Sequence, residues 1–149
     1  MIGFEVRRSL PRLLIGVDPG SHCGVATLIP DSKCLNLYQF NSNIEAMFLI
    51  IKLSHDFDIE LFIEDARLAP KNAYFAKTGN PGKLQGVGYV KGFCKEWEAF
   101  CKMRMYKHQM IQAKNTKIDP VLFEKITGMK TLKGEHHKRD AAMIILGRK

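Results

Sequence analysis

The chain has 149 residues, 46% of them hydrophobic, with a formal charge of +8, which suits one domain with a sizeable core. No stretch approaches the roughly 20 consecutive apolar residues of a membrane span, since even the cluster at 47–51 is stopped by Lys52. From residue 101 to 149 twelve Lys and Arg stand against four acidic residues, so the positive excess lies in the last third. That segregation suits a polyanionic partner, although a merely solvated basic face gives the same count.

The opening MIGFEVRRSLPR carries Glu5 and three arginines. Lacking an uninterrupted apolar region, it reads as a short extension over 1–12 rather than a signal peptide, ahead of a single domain over 13–149. Residues 13–18 predict a buried strand, 24–30 its neighbour after a tight turn, and the alternating 34–40 a third strand, together a meander. Asn43 is placed to cap a helix to about residue 55, with Ile44, Met47, Phe48 and Ile51 at helical spacing.

IELFIED, residues 59–65, reads as a further short strand. The polar loop 66–83 follows, long enough to suggest function. Residues 84–102 predict a helix with Val87, Val90, Cys94, Trp97 and Cys101 on one face. Gly86, Gly88 and Gly92 lower its propensity and suggest close approach to another backbone. Residues 103–107 fit a final strand. Asp119 and Pro120 open a short helix that stops at Gly128, a basic connector spans 129–133, and a last helix begins at His136 or His137 with Ala141, Ala142, Ile144 and Ile145 inward. The four cysteines show neither CxxC spacing nor a zinc pattern with the histidines. They read as free thiols in a reducing, cytoplasmic setting.

Three acids share a setting. Asp18 and Glu64 each end an apolar strand, and Asp140 opens an apolar helix. If the strands are neighbours, the first two side chains lie about 5 Å apart and repel unless a divalent cation neutralises them. Oxygen donors of this kind suit Mg²⁺, and two such ions can cleave a phosphodiester. An Asp-Pro-Gly turn and a strand-terminal acid are also ordinary structural features. It is the combination of three, beside a basic surface, that favours chemistry. His136 and His137 lie within a helical turn of Asp140 and can orient water, ligate metal or accept a proton. Lys138 and Arg139 suit phosphate contacts.

IGVDPGSHCG, FIEDARLAPKNA, KLQGVGYVKG and HHKRDAAMIILG, in that order, resemble the RuvC-type Holliday junction resolvases of the RNase H-like nuclease superfamily, over most of residues 13–147. The resemblance implies an α/β fold: a five-stranded mixed sheet, its first three strands antiparallel, flanked by helices. It also implies a homodimer, formed through the helix at 84–102, that cuts opposed strands of a four-way DNA junction with Mg²⁺ or Mn²⁺. The acidic cluster then falls on Asp18, Glu64 and Asp140, and the fourth position, Asp in some members and His in others, on His137. His136 and Glu135 are the neighbouring alternatives. Phosphate contacts would come from Lys114, Lys117, Lys130, Lys133, Lys138 and Arg139, with Arg67 also contacting DNA and Lys71 and Lys77 reaching the junction arms.

Short, basic members occur in bacteriophages, which would set such a chain in the host cytoplasm. Bacterial members carry an aromatic three residues after the second acid. Here that position is Arg67, followed by Leu68, and the nearest aromatics are Tyr74 and Phe75. The basic residues near Lys107 and Lys114 do not align with the family's assisting lysines. Three other readings compete: a branched-DNA or RNA–DNA-hybrid nuclease of the same superfamily, a catalytically inactive DNA-binding module, and an actin-like ATP-binding fold. The last lacks its other phosphate-binding segments.

Overall fold

The computed structural model describes residues 9–70, 81–112 and 117–149. Its centre is a mixed five-stranded sheet of β1 (Arg12–Asp18), β2 (Cys23–Ile29), β3 (Cys34–Phe40), β4 (Asp58–Glu64) and β5 (Lys107–Ile111), in the order β3-β2-β1-β4-β5. The first three strands pair antiparallel, whereas β4 runs parallel to both β1 and β5. Among the described residues four α-helices accompany the sheet: α1 (Asn43–Asp56), α2 (Pro81–Met103), α3 (Pro120–Thr127) and α4 (His136–Ile145). The architecture is α/β, with the mixed sheet and antiparallel meander expected. Among the described residues no helix is long and apolar enough to cross a membrane.

Strand alternation assigns each side chain to one of two cores. Leu13, Ile15 and Val17 pack with Ile59, Leu61 and Ile63 against Ala46 and Ile50 of α1 and Trp97, Phe100 and Cys101 of α2. Leu14, Ala26, Leu28 and Phe62 face the other way, onto Phe123 of α3 and Ala141, Ala142, Ile144 and Ile145 of α4. With helices on both faces, residues 13–17 of β1 are buried on either side of the sheet, which explains why β1 reads as a continuous apolar run rather than an alternation. Cys23, Cys94 and Cys101 are buried free thiols. Burial pushes Cys94 up to about 11 and Cys101 up to about 12, so neither is a ready nucleophile.

Several boundaries depart from expectation for identifiable reasons. Ser42, not Asn43, caps α1 by accepting the Glu45 N–H, and Asn43 is 5% exposed and used elsewhere. The last strand lies at Lys107–Ile111 rather than 103–107. Met103 and Met105 mimic an inward alternation but are 75% and 90% exposed, in a helix end that turns through Met105 at φ 54°. The short helix behaves as read, with Asp119 accepting from the Val121 and Leu122 N–H groups and Gly128 ending it at φ 74°. Among the described residues Gly86, Gly88 and Gly92 approach no other backbone: a Cβ on each would meet nothing there within 4 Å.

The glycines that do permit close packing are Gly16 and Gly24. A Cβ on Gly16 would overlap the Ala141 carbonyl, and one on Gly24 the His137 carbonyl, so α4 lies directly on the backbone of β1 and β2. Gly24 also sits opposite Asp18 in the β1–β2 ladder. Gly24→Ala is therefore expected to destabilise the protein by about 1–3 kcal/mol, because neither backbone can yield cheaply. Gly86→Ala, on an open helix face, is expected to be neutral or stabilising by up to about 1 kcal/mol. Denaturant unfolding of the two variants checks this, and equal stability would contradict it.

Candidate active site

The parallel register pairs Val17 with Ile63, and the same offset one residue further sets Asp18 beside Glu64. Alternation puts both on the face of Leu14 and Phe62, the face that α4 covers. The condition on which the two-carboxylate reading hung is met. From above, α4 brings His137 Nδ1 to 2.7 Å from Asp18 Oδ2, while Asp140, one turn on, is 7% exposed. Four residues from three distant segments thus gather at the carboxyl ends of β1 and β4. Of the three candidates for the fourth position, it is His137 that meets Asp18. Glu135 accepts instead from Lys138 Nζ and the Leu132 N–H, each at 2.7 Å.

The electrostatics follow from this crowding. Burial, then the charge of Asp18, raises the Asp140 carboxyl to about 6. The hydrogen bond to Asp18 raises His137 despite partial burial, with the charges of Asp140 and Glu64 adding to it. Burial and the adjacent His137 lower His136. The His136 and His137 rings are 4.0 Å apart, and the exposed His22 ring lies parallel to His137 at 6.1 Å. His22 was not singled out from the sequence. Its place in the same turn as Asp18 was the available signal.

Two supports hold the strand ends. Asn43 Nδ2 donates to the Gly20 carbonyl at 2.9 Å, and Trp97 Nε1 donates to Asn43 Oδ1 at 2.8 Å, tying the Asp18 turn to α1 and α2. Beyond Glu64, Asp65 faces the opposite side and is 2% exposed. Burial pushes its carboxyl up, but the hydrogen bonds and charge of Arg67 prevail and leave it below its ordinary value. Arg67 also reaches Glu98 of α2 at 2.7 Å, and Glu98 is held down at about 2 by Lys102 and Arg67. This is a positioning network directly behind Glu64.

The basic candidates divide. Lys117, Lys130 and Lys133 are exposed. Lys138 is paired with Glu135, and Arg67 is engaged by two carboxylates. Arg139 must be corrected: it is 2% exposed and bonded to protein oxygens, so it is not placed for a phosphate. It points inward because it braces the connector before α4. Lys71, Lys77 and Lys114, with Tyr74 and Phe75, lie outside the described residues.

Among the described residues no three His, Cys, Asp or Glu side chains form a group that could hold a metal ion. With Asp18 drawn to His137, the carboxylates converge on one end of the sheet without closing on a common point. Their chemistry nevertheless fits a hard divalent cation: the donors are carboxylate oxygens, and burial, with the charge of Asp18 adding to it, makes Asp140 costly to ionise without a counter-charge. The hydrogen bond from His137 engages just one of the two Asp18 oxygens. Neither family models nor curated proteins give a match to this chain.

The Asp140 shift has a measurable sign. A carboxyl raised in the folded state from 3.8 to about 6 imposes a stability cost that is fully present above pH 6 and vanishes below the unfolded value. In chelator, Asp140→Asn is expected to stabilise the fold by about 3 kcal/mol at pH 8 and by almost nothing near pH 3. Thermal melts at both pH values check it, and destabilisation at pH 8 would contradict it.

Proposed function

We propose that this chain is a divalent-metal-dependent endodeoxyribonuclease of RuvC type, with an RNase H-like fold, that resolves four-way DNA junctions. The observation that carries the reading is the gathering of Asp18, Glu64, Asp140 and His137 at one end of the sheet, from segments whose motifs resemble that family. The mixed five-stranded sheet and its antiparallel meander agree with the fold the resemblance implies. The exposed Lys117 acts on Asp140 and so stands beside the acids, and the exposed Lys130 and Lys133 lie on the connector that leads into α4.

Asp18, Glu64 and Asp140 would hold Mg²⁺ or Mn²⁺, which when bound activates a water and stabilises the leaving oxygen. His137 donates through Nδ1 to Asp18 when that nitrogen carries the proton, which leaves Nε2 to orient or deprotonate the attacking water. The carboxylate fixes the ring, and the docked helix fixes the carboxylate's distance from Asp140. Attack on the phosphorus leaves a 5′-phosphate and a 3′-hydroxyl. Phosphate contacts by lysines make binding fall steeply with salt. Two copies meeting through α2 would present two such sites to opposed strands. The open faces at Gly86, Gly88 and Gly92 suit that contact.

Cleavage of a mobile four-way junction in millimolar Mg²⁺ tests the reading, with linear duplex, flap and RNA–DNA hybrid alongside. Paired symmetric nicks confined to the junction, reduced about a hundredfold or more by Asp18→Asn, are expected. Equal cutting of flaps or hybrids would point to a general nuclease of the superfamily. Junction binding with no cutting in any metal would leave a DNA-binding module.

A further inference from the structure

The end of the sheet away from Asp18 holds a cavity of its own. Arg12 opens β1 and Asp18 ends it, so about 20 Å of strand separates this region from the acidic cluster. The end of β2, the turn into β3, the end of α3 and residues 146–149 after α4 enclose about 760 Å³, a volume typical of small-molecule sites. The floor is apolar. Leu28, Leu35 and Leu146 belong to the core that the sheet shares with α3 and α4, and Ile126 of α3 lines the cavity while 55% exposed.

The rim is charged and mostly of one sign. Arg12, Lys33, Arg148 and Lys149 line it against one acid, Asp31. Arg12 is paired with Glu60 at 2.7 Å, whereas among the described residues the other three cations make no ion pair. Arg148 is also held in place. Its Nε donates to the Ile144 carbonyl at 2.8 Å, and its guanidinium lies 4.1 Å from the centre of the buried Phe62 ring, a cation–π contact. Among the described residues neither Nη group donates to the protein, and a guanidinium fork of this kind fits a carboxylate or phosphate.

These two features call for opposite ends of one molecule. A bare phosphate leaves the apolar floor unfilled, and a neutral hydrocarbon leaves the cations unmet. Duplex DNA carries its phosphates on a convex surface and brings no apolar body to the floor. We propose that this cavity binds a small organic anion, a carboxylate or phosphate carried on an apolar body. The charged group sits on the Arg148 fork, and the body packs against Leu35, Ile126 and Leu146. Lys33 and Lys149 add attraction from the rim. The site lies apart from the acidic cluster and does not rest on the nuclease reading.

The probe is anilinonaphthalene sulfonate, an anion on an apolar body whose fluorescence rises out of water, titrated into the full chain. Saturable one-to-one binding is expected, displaced by decanoate or by naphthyl phosphate but not by decanol or inorganic phosphate. Displacement by decanoate alone assigns a lipid-type carboxylate, and by naphthyl phosphate alone an aryl phosphate. Arg148→Gln is expected to weaken probe binding about tenfold. Ile126→Glu, at an exposed position, is expected to weaken it at least as much with the melting temperature unchanged. Lys125→Gln, an exposed cation outside the cavity, is expected to bind like wild type. Unsaturable binding, equal displacement by decanol, or wild-type affinity in both Arg148→Gln and Ile126→Glu would overturn the site. Junction cutting plays no part in this readout, so either proposal can fail while the other stands.

Discussion

Everything at the candidate site depends on one backbone contact, that of α4 against β1 and β2 at Gly16 and Gly24. A side chain at either position would occupy space held by a helix carbonyl. Because the helix lies so close, a residue as short as His137 bridges to Asp18, and Asp140 is buried beside the same strand end. The contact also sets the electrostatic character of the site. It excludes water from carboxylates that repel one another, which is why Asp140 resists ionisation. The packing that orders these side chains is also what makes them costly to ionise.

Consecutive acids at the end of β4 show how strand geometry divides labour. Glu64 and Asp65 are neighbours in sequence, but the pleat sends them to opposite faces of the sheet. Glu64 shares the face of Asp18 and α4. Asp65 is buried on the α2 side with Arg67 and Glu98 and anchors the strand end rather than lining the cluster. A similar division separates Arg139 from its neighbour Lys138, since one helix residue points into the protein and the next does not. Charge alone does not mark a residue as a ligand contact. Where its backbone aims it decides.

Much of this was legible in the sequence because it rests on local physics. The meander, the two acid-terminated strands, the Asp119–Pro120 helix start and the Gly128 stop all follow from turn chemistry and periodicity. What was not legible depends on partners distant in the chain. Gly16 and Gly24 read as ordinary strand glycines until the helix that covers them is known, whereas Gly86, Gly88 and Gly92 drew attention and face open space. Asn43 passed for a cap, though its side chain joins Gly20 to Trp97. Met103 and Met105 passed for strand residues because exposed methionines imitate an inward alternation. Arg139 passed for a surface cation because nothing in HHKRDAA reveals that its acceptors lie six to eight residues upstream and at Ile118.

The central claim is that the α4 contact gathers carboxylates of a kind that bind a catalytic cation. Crystals grown with Mn²⁺ and measured at the manganese absorption edge address it most directly. The account predicts anomalous density within about 2.5 Å of carboxylate oxygens of Asp18, Glu64 and Asp140. Manganese bound elsewhere, or density at the histidines without the carboxylates, would contradict it.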